Sequence, residues 1–191
     1  IGNIANTSPA AVTVAVADIT PPTILNRETQ DLDVDGKIDA IKITFSENVA
    51  DSTVRASDFA VAGYTGLAFS STTNGDTANN DVIYITFTEG LTPDTSAVPV
   101  VTYTQGTLTD ASANLMLTTG AASADKAAPV AVLAVYKDNG AGKVTTVDIT
   151  FSENVTFAYA DVDWSIAHAG TINLADETAA TATTNVITLT A

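Results

Sequence analysis

Cysteine is absent from the 191 residues, which excludes disulfide scaffolds, zinc–thiolate sites and thiol nucleophiles. The single histidine, His168, cannot build a multi-histidine metal centre. Positive charge is scarce, with 7 Lys and Arg against 22 Asp and Glu and a formal net charge of −15. Arg27, Lys37, Lys42, Arg55, Lys126, Lys137 and Lys143 are scattered along the chain. They form no basic patch, so nucleic acid and an anionic membrane surface are poor partners. The longest apolar run, Ala127–Val135, is too short to span a bilayer and contains Pro129, so no direct membrane insertion is expected of this segment. Phosphate-binding glycine loops, H-E-x-x-H and G-x-S-x-G are all missing, which leaves no recognisable catalytic signature. The chain opens without Met or a leader and closes on a strand-like run, Asn185–Thr190, so it reads as a segment of a longer polypeptide.

What is present is a repeat. Ile43-Thr44-Phe45-Ser46-Glu47-Asn48-Val49 recurs unchanged as Ile149-Thr150-Phe151-Ser152-Glu153-Asn154-Val155, 106 positions on. The flanks follow it. Gly36-Lys37-Ile38 corresponds to Gly142-Lys143-Val144, Asp58-Phe59 to Asp163-Trp164, and Asp81–Thr86 to Asn185–Thr190. Pro21-Pro22 and Pro129 mark the joints, where a fixed φ and a missing donor suit a strand entry or a stiff linker. The expected organisation is therefore residues 1–20 as the tail of a preceding repeat and linker, 21–127 as one complete repeat, and 128–191 as the first part of the next. That third part lacks counterparts to about Gly90–Asp110, so its sandwich is expected to be completed in cis or by strand donation, for instance through Val12, Val14 and Val16 of another copy.

Local patterning is β throughout. Ile41, Ile43 and Phe45 alternate with Lys42, Thr44 and Ser46; Val147, Ile149 and Phe151 repeat the pattern, and Ile83, Ile85 and Phe87 show it again. Turn clusters such as Asn74-Gly75-Asp76, Asn79-Asn80-Asp81 and Thr92-Pro93-Asp94 separate the runs. Only Ser52–Ala56 and Thr109–Ala113 suit a helical turn. The fold class predicted is all-β, an antiparallel sandwich of about 107 residues per repeat with Ile43, Phe45, Phe59, Ile83 and Ile85 in its core.

The strongest chemical signal is Asp31-Leu32-Asp33-Val34-Asp35-Gly36-Lys37-Ile38-Asp39. Ca²⁺ takes six to eight oxygens, and carboxylates at alternating positions converge when a loop curls around it. The expected ligands are Asp31, Asp33, Asp35 and Asp39, with the Lys37 carbonyl completing the shell and Gly36 allowing the sharp turn. An EF-hand is excluded, because position 12 is Lys42 and the chain continues as a strand. The alternative is a hairpin turn carrying solvated aspartates. The second copy reads Lys137–Thr145, where Gly140-Ala141-Gly142 turns the chain without an ion. Glu47 recurs as Glu153 in the same setting, which suits a strand-end turn better than a catalytic acid; a second ion held by Glu47 with Asp18 or Asp125 is a further reading. Asp161 and Asp163 suit a solvated strand entry, Trp164 the core, and His168 the surface.

The Asp-x-Thr-Pro-Pro entry at Asp18–Pro22, the Ile-Thr-Phe-Ser-Glu-Asn-Val strand and Ser57–Gly63 together resemble the bacterial Ig-like tandem repeats of S-layer proteins and large surface adhesins. The resemblance implies sandwiches in tandem outside the cell, often calcium-dependent and without catalysis. It suggests a secreted structural segment whose partners are neighbouring repeats of the same polypeptide or other copies of it, with cell-surface glycans as a second class. The alternative is an Ig-like accessory or carbohydrate-binding module of an extracellular polysaccharide-degrading enzyme, which an exposed row of aromatics would favour. Aromatics are only 6% of the chain.

Overall fold

The computed structural model describes residues 16–156 and the strand segments 165–168, 170–173, 175–176 and 184–190. Val12, Val14, Asp161, Asp163 and Trp164 lie outside the described residues. Among the described residues every ladder between strands is antiparallel, and the structure is all-β apart from three short 3₁₀ turns.

Strands β1 (Ile24–Gln30), β2 (Ala40–Phe45), β4 (Thr65–Phe69) and β5 (Val82–Thr88) form one sheet in the order β1-β2-β5-β4. Strands β3 (Phe59–Val61), β6 (Val100–Tyr103) and β7 (Thr119–Ala122) form a second, in the order β3-β6-β7. The alternation read in β2 turns Ile41, Ile43 and Phe45 inward, and β5 adds Ile83, Ile85 and Phe87. Phe59, Val61, Val101 and Tyr103 of the second sheet close on them, with Leu108 and Met116 from the loops, in a sandwich-like core. Phe59 and Tyr103 pack as tilted rings 5.1 Å apart. All five residues expected in the core are buried. Past β7 the chain crosses to the first sheet, where Ala124 lies parallel to β1. The Ala124 N–H donates to the Arg27 carbonyl (2.7 Å) and the Thr29 N–H to the Ala124 carbonyl (3.0 Å).

The second motif copy lies in a further sheet, β12-β13-β9-β8, from β8 (Ala131–Asp138), β9 (Val144–Val155), β12 (Ala175–Asp176) and β13 (Thr184–Thr190). The hairpin of β10 (Ser165–His168) and β11 (Gly170–Asn173) stands between β9 and β12 in the chain. Identical sequence meets different surroundings here. Val147, Ile149, Ile187 and Leu189 are buried, whereas Phe151, the counterpart of fully buried Phe45, is only half-buried. On edge strand β8, Leu133, Val135 and Tyr136 are exposed. Ser52–Ala56 resolves into two 3₁₀ turns, Asp51–Thr53 and Ala56–Asp58, while 109–113 is a turn without helix.

Candidate metal centre

The antiparallel register brings both ends of the β1–β2 connection together, with Gln30 opposite Ala40, so Asp31–Asp39 must reverse the chain within nine residues. Val34 (φ 62°) and Gly36 (φ 93°) take left-handed conformations to do so. Asp31 ties the turn from inside. Its Oδ1 accepts from the Val34 and Asp35 N–H groups (2.8 and 3.3 Å) and its Oδ2 from the Gly36 N–H (2.8 Å). Asp39 Oδ1 accepts from the Leu32 N–H across the loop (3.0 Å).

One carboxylate oxygen each from Asp31, Asp33 and Asp35 lie within 4.8 Å of one another. A second group of three, Asp33, Asp39 and Glu89, satisfies the same spacing, so Asp33 belongs to both. Glu89 was not legible as a member, because it follows β5, 50 residues beyond Asp39. What delivers it is the β2–β5 ladder, which pairs Ala40 with Thr86 and lets the Phe87 N–H donate to the Asp39 carbonyl (2.9 Å). Burial, followed by the charges of Asp33, Asp31 and Glu89, pushes the Asp39 carboxyl up to about 6, against the Leu32 N–H that lowers it. The Lys37 ammonium bridges Asp35 and Glu89, at 2.8 Å from the latter. The Lys37 hydrogen bond holds Asp35 below its ordinary value, and the same contacts raise Lys37. Four loop carboxylates and Glu89 thus gather in two overlapping groups, with the Lys37 ammonium paired to two of the five, an oxygen-only donor set suited to a hard divalent ion.

This loop also touches the second motif copy. A Cβ built on Gly36 would stand 2.6 Å from Val132 Cγ1 and 3.2 Å from Ser152 Cβ. Asp94, after β5, accepts from the Ile38 N–H (2.9 Å) through Oδ1 and from the Tyr64 hydroxyl (2.5 Å) through Oδ2. Its neighbour Thr95 is fully buried, with Oγ1 2.7 Å from Ser152 Oγ and donating to Glu153 Oε1 at 3.0 Å. Burial raises Glu153, with the charge of Asp125 acting in the same direction against the Thr95 hydrogen bond.

A second acidic group sits at the far end of β2. Carboxylate oxygens of Asp18, Glu47 and Asp110 fall within 4.8 Å of one another. Burial, then the charges of Asp18 and Asp110, push Glu47 up. Burial also works to raise Asp110. The Asn114 side-chain amide (2.7 Å) and the Ser112 and Asn114 N–H groups (2.9 and 2.8 Å) outweigh it and leave Asp110 lowered. Asp110 joins through the Val49–Asp110 bridge, a pairing 61 residues apart that no local pattern announces. In the second copy the turn closes on itself: Asp138 Oδ1 accepts from the Gly140 N–H (2.7 Å) and Asn139 Oδ1 from the Ala141 N–H (2.9 Å). Among the described residues, Tyr136 is the one exposed aromatic, so no row of stacking rings is present there. His168 falls in β10.

These features define an acidic, all-β, sandwich-like protein. Over 106 residues, 53% of this chain, the sequence is 34% identical to an outer cell wall protein of Brevibacillus brevis strain 47. The matched region is 10% of that protein's length. No family model matches the sequence, and no solved structure matches it. No helix among the described residues is long and apolar enough to cross a membrane.

Proposed function

We propose that this chain is a structural segment of a bacterial cell-surface protein, built from Ig-like sandwiches in tandem and stiffened by calcium. The likeness to an outer cell wall protein supports the surface location and a structural role; the form we assign to that role is an S-layer subunit or an adhesin stalk. In this reading Asp31, Asp33, Asp35 and Asp39 hold one Ca²⁺ with the Lys37 carbonyl, and Glu89, just past the end of β5, adds a ligand. The Lys37 ammonium is the competitor that calcium displaces from Asp35 and Glu89. Partners are adjoining repeats or other copies of the polypeptide, and no catalytic step is assigned.

The observation that carries the reading is the position of the loop. Gly36 packs against Val130, Val132 and Ser152, so an ion that orders Asp31–Asp39 also orders the surface against which the second motif copy rests. Small-angle scattering of the full chain with calcium and with chelator tests this. The expected outcome is a narrower distribution of end-to-end distances with calcium, lost on replacing Asp33 and Asp35 by Asn. Identical scattering in both conditions, with no heat of calcium binding, overturns it.

A further inference from the structure

We propose that the end of the sandwich opposite the Asp31–Asp39 loop holds a second cation site, formed by Asp51 and Asp76 and suited to a calcium-sized hard ion. Asp51 follows β2 and opens the first 3₁₀ turn; Asp76 lies in the connection from β4 to β5. The two are fastened to the same stretch of loop. Asp51 Oδ1 accepts from the Asn79 N–H (3.1 Å), and the Asp51 N–H donates to Asn79 Oδ1 (3.1 Å). Asn79 adopts a left-handed conformation (φ 61°) that suits this reciprocal pair. Asp76 Oδ1 accepts from the Thr77 N–H (2.9 Å) and from Asn80 Nδ2 (3.2 Å).

The second oxygen of each carboxylate is the anomaly. Asp51 Oδ2 and Asp76 Oδ2 are both shut off from solvent with no hydrogen-bond partner, and Asp51 as a residue is only 9% exposed. A buried charged acceptor without a donor carries an uncompensated desolvation cost, and two of them acting on each other double the problem. Burial, with the Asp76 charge acting in the same direction, raises the Asp51 carboxyl. No Lys or Arg among the described residues pairs with either group; the nearby Arg55 guanidinium is spent on the Ser52 and Val54 carbonyls. A proton would neutralise one carboxylate. A divalent cation uses both free oxygens as ligands and neutralises both, and the loop that fastens them carries two further side-chain oxygens, Asn79 Oδ1 and Asn80 Oδ1, which accept from the Asp51 and Val82 N–H groups. Oxygen-only donors on an irregular loop favour Ca²⁺ over Mg²⁺, which demands tighter octahedral order. The six residues of β2 put this pair roughly 20 Å from the first loop, at about 3.3 Å per residue, so the two sites are separable.

The experiment is a calcium titration of the full chain carrying Asp33→Asn and Asp35→Asn, followed through backbone amide chemical shifts. The expected result is saturable movement of the Asp51, Asp76, Asn79 and Asn80 amides. Adding Asp76→Asn, which keeps an oxygen for the Thr77 N–H, should weaken that response at least tenfold. Magnesium should move the same amides at higher concentration. No movement of these amides at about 10 mM calcium, tenfold above the weakest affinity usual for extracellular calcium modules, overturns the proposal. So does equal movement in the Asp76→Asn chain. A gain in stability from Asp76→Asn without any calcium-dependent shift also overturns it, by assigning the pair a shared proton.

Discussion

Replacing Asp33 by Asn should have opposite effects with and without calcium. Asp33 is the one carboxylate common to both groups of three in the β1–β2 loop, and its charge is among those that push Asp39 up. In chelator the substitution removes a like charge from a crowded site, so melting temperature should rise slightly. In calcium, under the function proposed above, it removes a ligand. For a site with Kd of about 10⁻⁴ M, millimolar calcium stabilises the folded state by RT ln(1 + 10), about 1.4 kcal/mol. A domain of this size shifts by about 4–8 °C per kcal/mol, so the wild-type difference between calcium and chelator should be about 6–11 °C. A tenfold weaker site retains only RT ln 2, about 0.4 kcal/mol, and the difference should fall to about 2–3 °C. Asp35→Asn should cost less, because Asp35 belongs to one group only and is already paired with Lys37. Scanning calorimetry of the full chain in both conditions checks this. An equal calcium response in wild type and Asp33→Asn, or a larger loss in Asp35→Asn, refutes the shared-ligand geometry.

Phe45→Ala should cost about 3–5 kcal/mol in denaturant melts, since the ring is fully buried, whereas the same change at half-buried Phe151 should cost clearly less; equal costs would contradict the different packing of the two motif copies. Thr95→Val keeps the shape but removes the hydroxyl shared by Ser152 and Glu153, and should lower stability by about 1 kcal/mol in a double-mutant cycle with Ser152→Ala; additivity would show the contact is energetically silent. The folded value of Glu47 lies above its unfolded one, so its unfavourable contribution is absent below the unfolded value and grows as pH rises through the folded one. In chelator, Glu47→Gln should therefore raise the melting temperature at pH 7 and have little effect at pH 4, and a pH-independent effect would remove the Asp18–Glu47–Asp110 repulsion as its cause.

Strands were legible where burial is one-sided. The alternation in β2 and β5 announced both the inward face and its residues, because a period of two leaves little freedom once one face is apolar. The clustering of the acidic loop was legible for a similar reason, since its carboxylates and its turn glycine are local. Glu89, Asp94 and Asp110 were not, because they reach their partners through ladders and bridges joining residues far apart in the chain. The role of the Lys37 ammonium was missed on the same grounds: its second partner, Glu89, arrives with β5. Asp76 sat in a stretch that read as a turn and Asp51 just before one that read as a helical turn; only their orphaned oxygens distinguish them. The half-burial of Phe151 shows the limit from the other side. An identical heptapeptide fixes which face of a strand is apolar, but not whether anything covers it.

The parallel placement of Ala124 beside β1 has a mechanical consequence. Tension applied through the chain pulls β1 back toward Pro22 and pulls the Ala124 segment forward toward Pro129. Because the two run side by side in the same direction, the load slides one along the other instead of peeling them apart. The Ala124–Arg27 and Thr29–Ala124 backbone bonds, and the bond from the Lys126 N–H to Thr29 Oγ1 (3.0 Å), must then yield together rather than in succession. A clasp loaded in shear resists force well beyond what its few hydrogen bonds contribute to equilibrium stability, because resistance to pulling follows the unfolding rate and not the folding free energy. Weakening this clasp should shorten the lifetime of the fold under load by more than its loss of equilibrium stability alone accounts for.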